Sequence, residues 1–239
     1  MKISFALVLL IPVLASCRFS INKKIEGNGT NGREERTISN IRGIELSGPF
    51  NVYVTQGNDT RVRIEGDENL LEYVETDRKG DILELGFRDG FRLKQRSKIK
   101  VFVSAPHLQQ FTVSGSGSIF SASITAADKV NLSVSGSGRM AFTNIDAPTV
   151  DSDVSGSGSL ACGGTTRTFR AEIAGSGNID ALGLLSEATA VDIAGSGNAE
   201  VFASKVLTVN IAGSGDVAYK GTPQVRQTLA GSGKVRKKD

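Results

Sequence analysis

Apolar and polar positions alternate with a period of two through most of the chain, and in its C-terminal half the alternation is itself repeated. Gly-Ser-Gly occurs seven times, beginning at Gly115, Gly136, Gly156, Gly175, Gly195, Gly213 and Gly231, with spacings of 21, 20, 19, 20, 18 and 18 residues. Two residues before each first glycine stands an aliphatic residue: Val113, Val134, Val154, Ile173, Ile193, Ile211 and Leu229. One residue earlier the column is polar: Thr112, Ser133, Asp153, Glu172, Asp192, Asn210 and Thr228. Four residues after the first glycine a second aliphatic column begins: Ile119, Met140, Leu160, Ile179, Ala199, Val217 and Val235. Such alternation marks strands with one buried face. Each repeat therefore holds two short strands joined at a Gly-Ser-Gly corner.

A near-fixed period of this size is the mark of a solenoid, whose repeats bury their apolar faces only by stacking on neighbours. With the right-handed crossovers of parallel sheets, it predicts an all-β, right-handed parallel β-helix of coils about 19 residues long. Glycine reaches positive φ at a sharp bend, and a small serine between two glycines lets coils approach at the strand spacing of ~4.8 Å. The competing chemistry is a phosphate-cradling nest. Gly-Ser-Gly lacks the lysine and following helix of a P-loop, and seven copies at one period fit architecture better. Upstream, Ile41 to Thr55, Arg61 to Glu65, Asp81 to Arg88 and Lys98 to Ser104 alternate as well, while Glu68 to Thr76 suits a helical turn or two. Residues 37–239 thus read as a single β-helix domain, with looser coils over 37–109 and the Gly-Ser-Gly repeats over 110–235.

The first residues differ in kind. Lys2 precedes an apolar stretch from Ile3 to Leu14, broken only by Ser4 and Pro12 and too short to cross a bilayer, so 1–16 reads as an export signal. Leu14-Ala15-Ser16-Cys17 resembles the lipobox of bacterial lipoproteins, which implies cleavage before Cys17 and lipidation of its sulfur. Several acyl chains anchor durably where one holds only marginally, so a membrane is an expected partner. Residues 17–36 then read as the lipidated cysteine and a flexible spacer with turn-prone Asn28-Gly29 and Asn31-Gly32. The expected location is the outer membrane, facing the periplasm or the cell surface. Arg18 is not the aspartate that retains lipoproteins at the inner membrane, and no acidic cluster follows it to indicate surface export.

Composition removes further classes. A balance of 28 Lys plus Arg against 25 Asp plus Glu gives no argument for nucleic acid as a partner. Apolar content of 39% argues against disorder, and 28 glycines with only five prolines argue against a collagen-like chain. With Cys17 lipidated, Cys162 has no disulfide partner, and its register places it in the interior. A single histidine, His107, and no Cys-x-x-Cys pair leave no zinc site of the usual kind, so neither a metal nor a cofactor is expected.

One column invites a chemical reading. Asp153, Glu172 and Asp192 stand outward on consecutive coils, with Asp151 beside them. Paired carboxylates serve glycoside cleavage or bind Ca²⁺ through oxygen ligands. Arg170, expected directly over Asp151, makes a solvated, neutralised ladder the simpler account. A weak cation or sugar contact at Asp153, Glu172 and Asp192 is the alternative. A basic run, Arg88, Arg92, Lys94, Arg96, Lys98 and Lys100, surrounds an Asp89-Gly90 step that suits a hairpin turn.

Ser47-Gly48-Pro49-Phe50-Asn51-Val52, then Glu65-Gly66-Asp67-Glu68-Asn69-Leu70-Leu71, and the run of Gly-Ser-Gly corners resemble the head GIN domain family, labelled autotransporter adhesins. The resemblance covers roughly Ile38 to Val235. It implies a pectin-lyase-like β-helix without that fold's catalytic residues, exported or lipid-anchored in Bacteroidetes-type bacteria, and a role in adhesion. The expected function is a non-enzymatic, lipid-anchored envelope protein that binds a glycan or a protein ligand. A polysaccharide-active lyase or hydrolase on the same fold, and a purely structural envelope protein, are the alternatives.

Overall fold

The computed structural model describes residues 23–239, so the expected export signal over 1–16 and the expected lipidation site at Cys17 lie outside the described residues. Strand accounts for 70% and helix for 3%, which makes the protein an all-β solenoid as its alternation predicts. The strands entering the corners, among them Gln110–Gly115, Lys129–Gly136, Leu184–Gly195, Val206–Gly213 and Gln224–Gly231, stack in one parallel ladder. The strands leaving the corners, among them Ser118–Thr125, Asn178–Ala181, Asn198–Phe202, Asp216–Lys220 and Lys234–Lys237, form a second ladder. A third side returns each coil and buries Ile124, Ile145 and Leu184.

The register is the one the repeat alignment predicts. Val134, Val154, Ile173 and Ile193 stack on one another without slippage and are fully or nearly buried. Leu229, at the same position of the last coil, is 42% exposed because no further coil covers it. The charged neighbours Lys234, Arg236 and Lys237 discourage pairing at that open edge.

Corner glycines are demanded twice over. Gly213 has φ +138°, and a Cβ there would stand 2.1 Å from the carbonyl oxygen of Gly195 one coil earlier. The corners also form rungs of their own. The Ser176, Ser196 and Ser214 amides donate to the Gly156, Gly175 and Gly195 carbonyls at 2.8, 2.8 and 2.9 Å. Those N–H groups are spent on the preceding coil, which leaves the phosphate-nest reading without its donors.

The segment before the repeats departs from a succession of looser coils. Gly43–Leu46 pairs with Gln110–Gly115 on one side and with Ile82–Phe87 on the other, and Asn51–Gln56 lies likewise between Ser118–Thr125 and Lys100–Ala105. The coil containing residues 43–56 is therefore sandwiched between two that follow it in sequence. Antiparallel pairing supplies the rest: Asn31–Arg36 on Arg61–Asp67, Arg61–Asp67 on Lys100–Ala105, and Val74–Lys79 on Ile82–Phe87. This closes the N-terminal end of the solenoid, with a short 3-10 helix at Glu68–Tyr73 burying Leu70 and Leu71. The hairpin turns at Gly80, φ +63°, and not at Asp89-Gly90; Phe91–Lys94 pairs instead with Lys23–Glu26.

The expected spacer is also corrected, since Lys23–Glu26 and Asn31–Arg36 are strands. They are laddered on Phe91–Lys94 and Arg61–Asp67, and the loop between them is fixed by Asp67, fully buried, whose carboxylate accepts from the Gly29, Arg96 and Ser97 amides at 3.1, 2.7 and 3.1 Å. Asn69 adds a donor to the Glu26 carbonyl and an acceptor for the Asn28 amide. Turn-prone Asn-Gly steps do not make a segment mobile when a buried carboxylate fixes their amides.

Candidate functional site

The structure brings Asp153, Glu172 and Asp192 into one register on the face entering the corners. Asp153 is half-buried, while Glu172 and Asp192 are exposed. Ser155 donates to Asp153 at 3.3 Å and Asn210 to Asp192 at 2.8 Å. Arg170 does stack over Asp151, but the ion pair to Asp151 comes from Lys129, at 2.5 Å. Among the described residues, no group of three or more His, Cys, Asp or Glu side chains is arranged to hold a metal ion. Exposed carboxylates in a straight row offer few ligands from one direction, where Ca²⁺ takes six to eight. Calorimetry with Ca²⁺ should give no heat with the wild type or with Glu172→Gln; micromolar binding lost in Glu172→Gln would make this column a cation site.

The remaining singled-out groups are accounted for. Cys162 is buried in register with Phe142, and burial pushes its thiol up to about 12, which leaves no thiolate for nucleophilic chemistry. The basic run is dispersed: Lys94 and Arg96 lie 3.1 and 3.5 Å from Glu26, and Arg88 reaches Glu75 at 4.0 Å. The Lys94 ammonium, hydrogen-bonded to Glu26, holds that carboxyl below the usual carboxylate range. Among the described residues no helix is long and apolar enough to cross a membrane.

The more developed surface lies on the opposite side of the corner, on the ladder leaving it. Here one outward column runs in unbroken register through Phe102, Tyr53, Phe120, Ala141, Ala161, Asp180, Glu200, Ala218 and Arg236. The three rings at its start are half-buried and stack on each other, Phe102 to Tyr53 at 5.2 Å and Tyr53 to Phe120 at 5.5 Å between centroids. Arg63, brought alongside by the antiparallel strand, caps the stack with its guanidinium 4.2 Å from the Phe102 ring centre. At the other end Phe120 has Ala141 as its neighbour, and no ring follows.

From Ala141 onward the face sinks into a trough of about 800 Å³. Ala141, Ala161 and Ala218 keep the column low, Asp180 and Glu200 rise between Ala161 and Ala218, Arg236 closes the end, and Arg139, Asn178, Asn198 and Asp216, two residues earlier on their strands, form the wall beside it. The wall is internally bonded: Asn198 donates to Asn178 at 3.2 Å, and Asp216 accepts the Lys234 amide at 3.0 Å. Glu200 is paired with Lys238 at 2.7 Å. Three carboxylates thus sit in the middle of the trough between Arg139 and Arg236 at its ends, and with Lys238 the charges sum to zero. Alternation in the sequence places these side chains outward, but it does not single the column out. Tyr53, Phe102 and Phe120 come from segments far apart in sequence, and only the stacking of the out-of-order coil aligns them.

The protein is an all-β solenoid with an exposed trough along its axis. Residues 40–223 match the family described as "Putative auto-transporter adhesin, head GIN domain". The chain belongs to this family. Its fold is similar to crystal structures described as a "putative adhesin" from Bacteroides fragilis NCTC 9343 (20% identity, TM-score 0.83, covering 89% of this chain and 99% of that one) and a "putative adhesin" from Parabacteroides distasonis ATCC 8503 (25%, 0.69, 90% and 100%). It also resembles a "Putative lipid binding protein" from Parabacteroides distasonis ATCC 8503 (24%, 0.73, 91% and 100%). No curated protein matches the chain.

Proposed function

We propose that the protein is a non-enzymatic binding module of the cell envelope, held at the outer membrane by a lipid on Cys17, with the ladder leaving the corners as its contact face for a glycan or protein ligand. The observation that carries this reading is the continuity of that face, in which stacked rings and a polar trough follow one another along a single column. Membership of the adhesin-type family supports it. The rigidity of a parallel ladder suits recognition of an extended ligand, because contacts fixed in advance cost less ordering on binding.

Two measurements test the reading. The full-length chain, immobilised and exposed to a panel of host and bacterial polysaccharides and matrix proteins, should retain at least one of them without shortening it; release of cleaved products would instead identify an enzyme. Cys17→Ser should move the protein from the detergent-requiring fraction to the soluble fraction, since only a thiol is lipidated. Retention of the variant in the membrane pool would remove the lipid anchor from the account.

A further inference from the structure

We propose that the trough binds a neutral polysaccharide, with one sugar ring stacked on Phe120 in the space above Ala141 and Ala161. This inference rests on the reading of that face as a binding surface and names its ligand class.

Three observations lead to it. The first is the interrupted stack. Arg63, Phe102, Tyr53 and Phe120 fill successive places in one ladder, and the next two places hold alanine. Phe120 is covered by Tyr53 on one side and has only the Ala141 methyl group beside it on the other, so a ring-sized space continues the ladder. The face of an aromatic ring carries negative charge density and attracts the weakly positive C–H groups of a ring laid on it. The apolar face of a pyranose presents such C–H groups.

The second observation is the set of polar groups beside that space. Asn178 and Asn198 stand in register one coil apart, as do Asp180 and Glu200. Amides supply both donors and acceptors and carboxylates supply acceptors, which is the inventory that sugar hydroxyls require.

Charge decides the class of polysaccharide. Arg139 and Arg236 stand toward the two ends of the trough, with Asp180, Glu200 and Asp216 between, and Glu200 is already paired with Lys238. The three carboxylates in the middle repel a polyanion, and with Arg139, Arg236 and Lys238 against them the trough carries no net charge with which to capture a polycation.

The test is calorimetry on the full-length chain in detergent, with cellohexaose, xylohexaose and mannohexaose as neutral probes and heparin and polygalacturonate as charged ones. At least one neutral hexasaccharide should bind, with an affinity little changed by salt. Phe120→Ala should weaken it about tenfold, the size of one ring-stacking contact. Ala141→Phe fills the space with a ring of the protein's own; it should weaken binding at least as much with an unaltered melting temperature, because position 141 faces outward. Wild-type affinity in Ala141→Phe would overturn the proposal. So would preferential binding of heparin or polygalacturonate that salt weakens, or no binding of any neutral probe. If the neutral probes fail while the chain still retains a component of the polysaccharide and protein panel, only this ligand assignment falls. If the panel also yields nothing, the binding-module reading falls with it.

Discussion

Val154→Asp should abolish cooperative folding, whereas Ser133→Asp should leave the protein within about 1 kcal/mol of wild type. Val154 has no exposed surface and is held between Val134 and Ile173 in the aliphatic column. A carboxylate there meets only hydrocarbon, and an unpaired buried charge costs several kcal/mol or must take up a proton. That is a large share of the ~5–15 kcal/mol by which domains are stable. Because each coil is stabilised mainly by its neighbours, the loss spreads to the coils on both sides. Ser133 is one residue away from the equivalent position of the preceding coil and points outward, half-buried. Its replacement adds only repulsion from Asp153, the next residue along the column. Circular-dichroism melts of the two variants check this, and equal melting temperatures would refute the strand register.

Asp67→Ala should cost about 3 kcal/mol or more and loosen the loop over 27–30 together with Lys23–Glu26 before it. The carboxylate is fully buried and accepts three backbone amides from two separate loops. Removing it takes away three hydrogen bonds to a charged acceptor, each worth about 1.5–3 kcal/mol, of which water restores part at the exposed Gly29 and Arg96. Asp67→Asn should fall between. Its one carbonyl oxygen can face Arg96 and Ser97, but its amide group then opposes the Gly29 N–H. Urea denaturation reads the loss, and hydrogen exchange should accelerate over 23–30 while Asn31–Arg36, laddered on Arg61–Asp67, and the Gly-Ser-Gly coils stay protected. An unchanged urea midpoint in Asp67→Ala would show that the clamp does not hold this loop.

The two halves of the chain were not equally legible. Seven copies of one corner give seven independent views of the same strand pair, so a chance alternation in one repeat is outvoted by the others. Four residues before the corner, where Phe111, Leu132, Ala171, Val191 and Val209 are apolar and buried, Ser152 breaks the pattern and is buried all the same. Ser152 is satisfied there by donating to the Arg170 carbonyl at 3.0 Å. Residues 31–105 have no such redundancy. Each strand there alternates, which fixes the face it buries but not the strand it pairs with, because many partners present the same apolar face.

The acidic column was visible in sequence because its members recur at the repeat period, and the structure gives it the register expected. The ring stack was not visible, because Tyr53 and Phe102 lie before the first repeat and have no counterpart in it. Similarly, the sequence shows Asp67 as one acidic residue in an acidic stretch, and nothing local distinguishes it from exposed Glu68.

Sequence alone therefore determined the all-β character, the coil length, the buried columns and the need for glycine at the corners, since all of these follow from the two-residue periodicity of strands and the steric demands of one bend. Tertiary structure alone decided that the coil of residues 43–56 inserts beneath the first Gly-Ser-Gly repeat, that antiparallel strands close the N-terminal end, and that Phe102, Tyr53 and Phe120 align above the trough. The physical reason is that local pattern dictates which side of a strand avoids water, while the choice of neighbour is made by packing over the whole molecule.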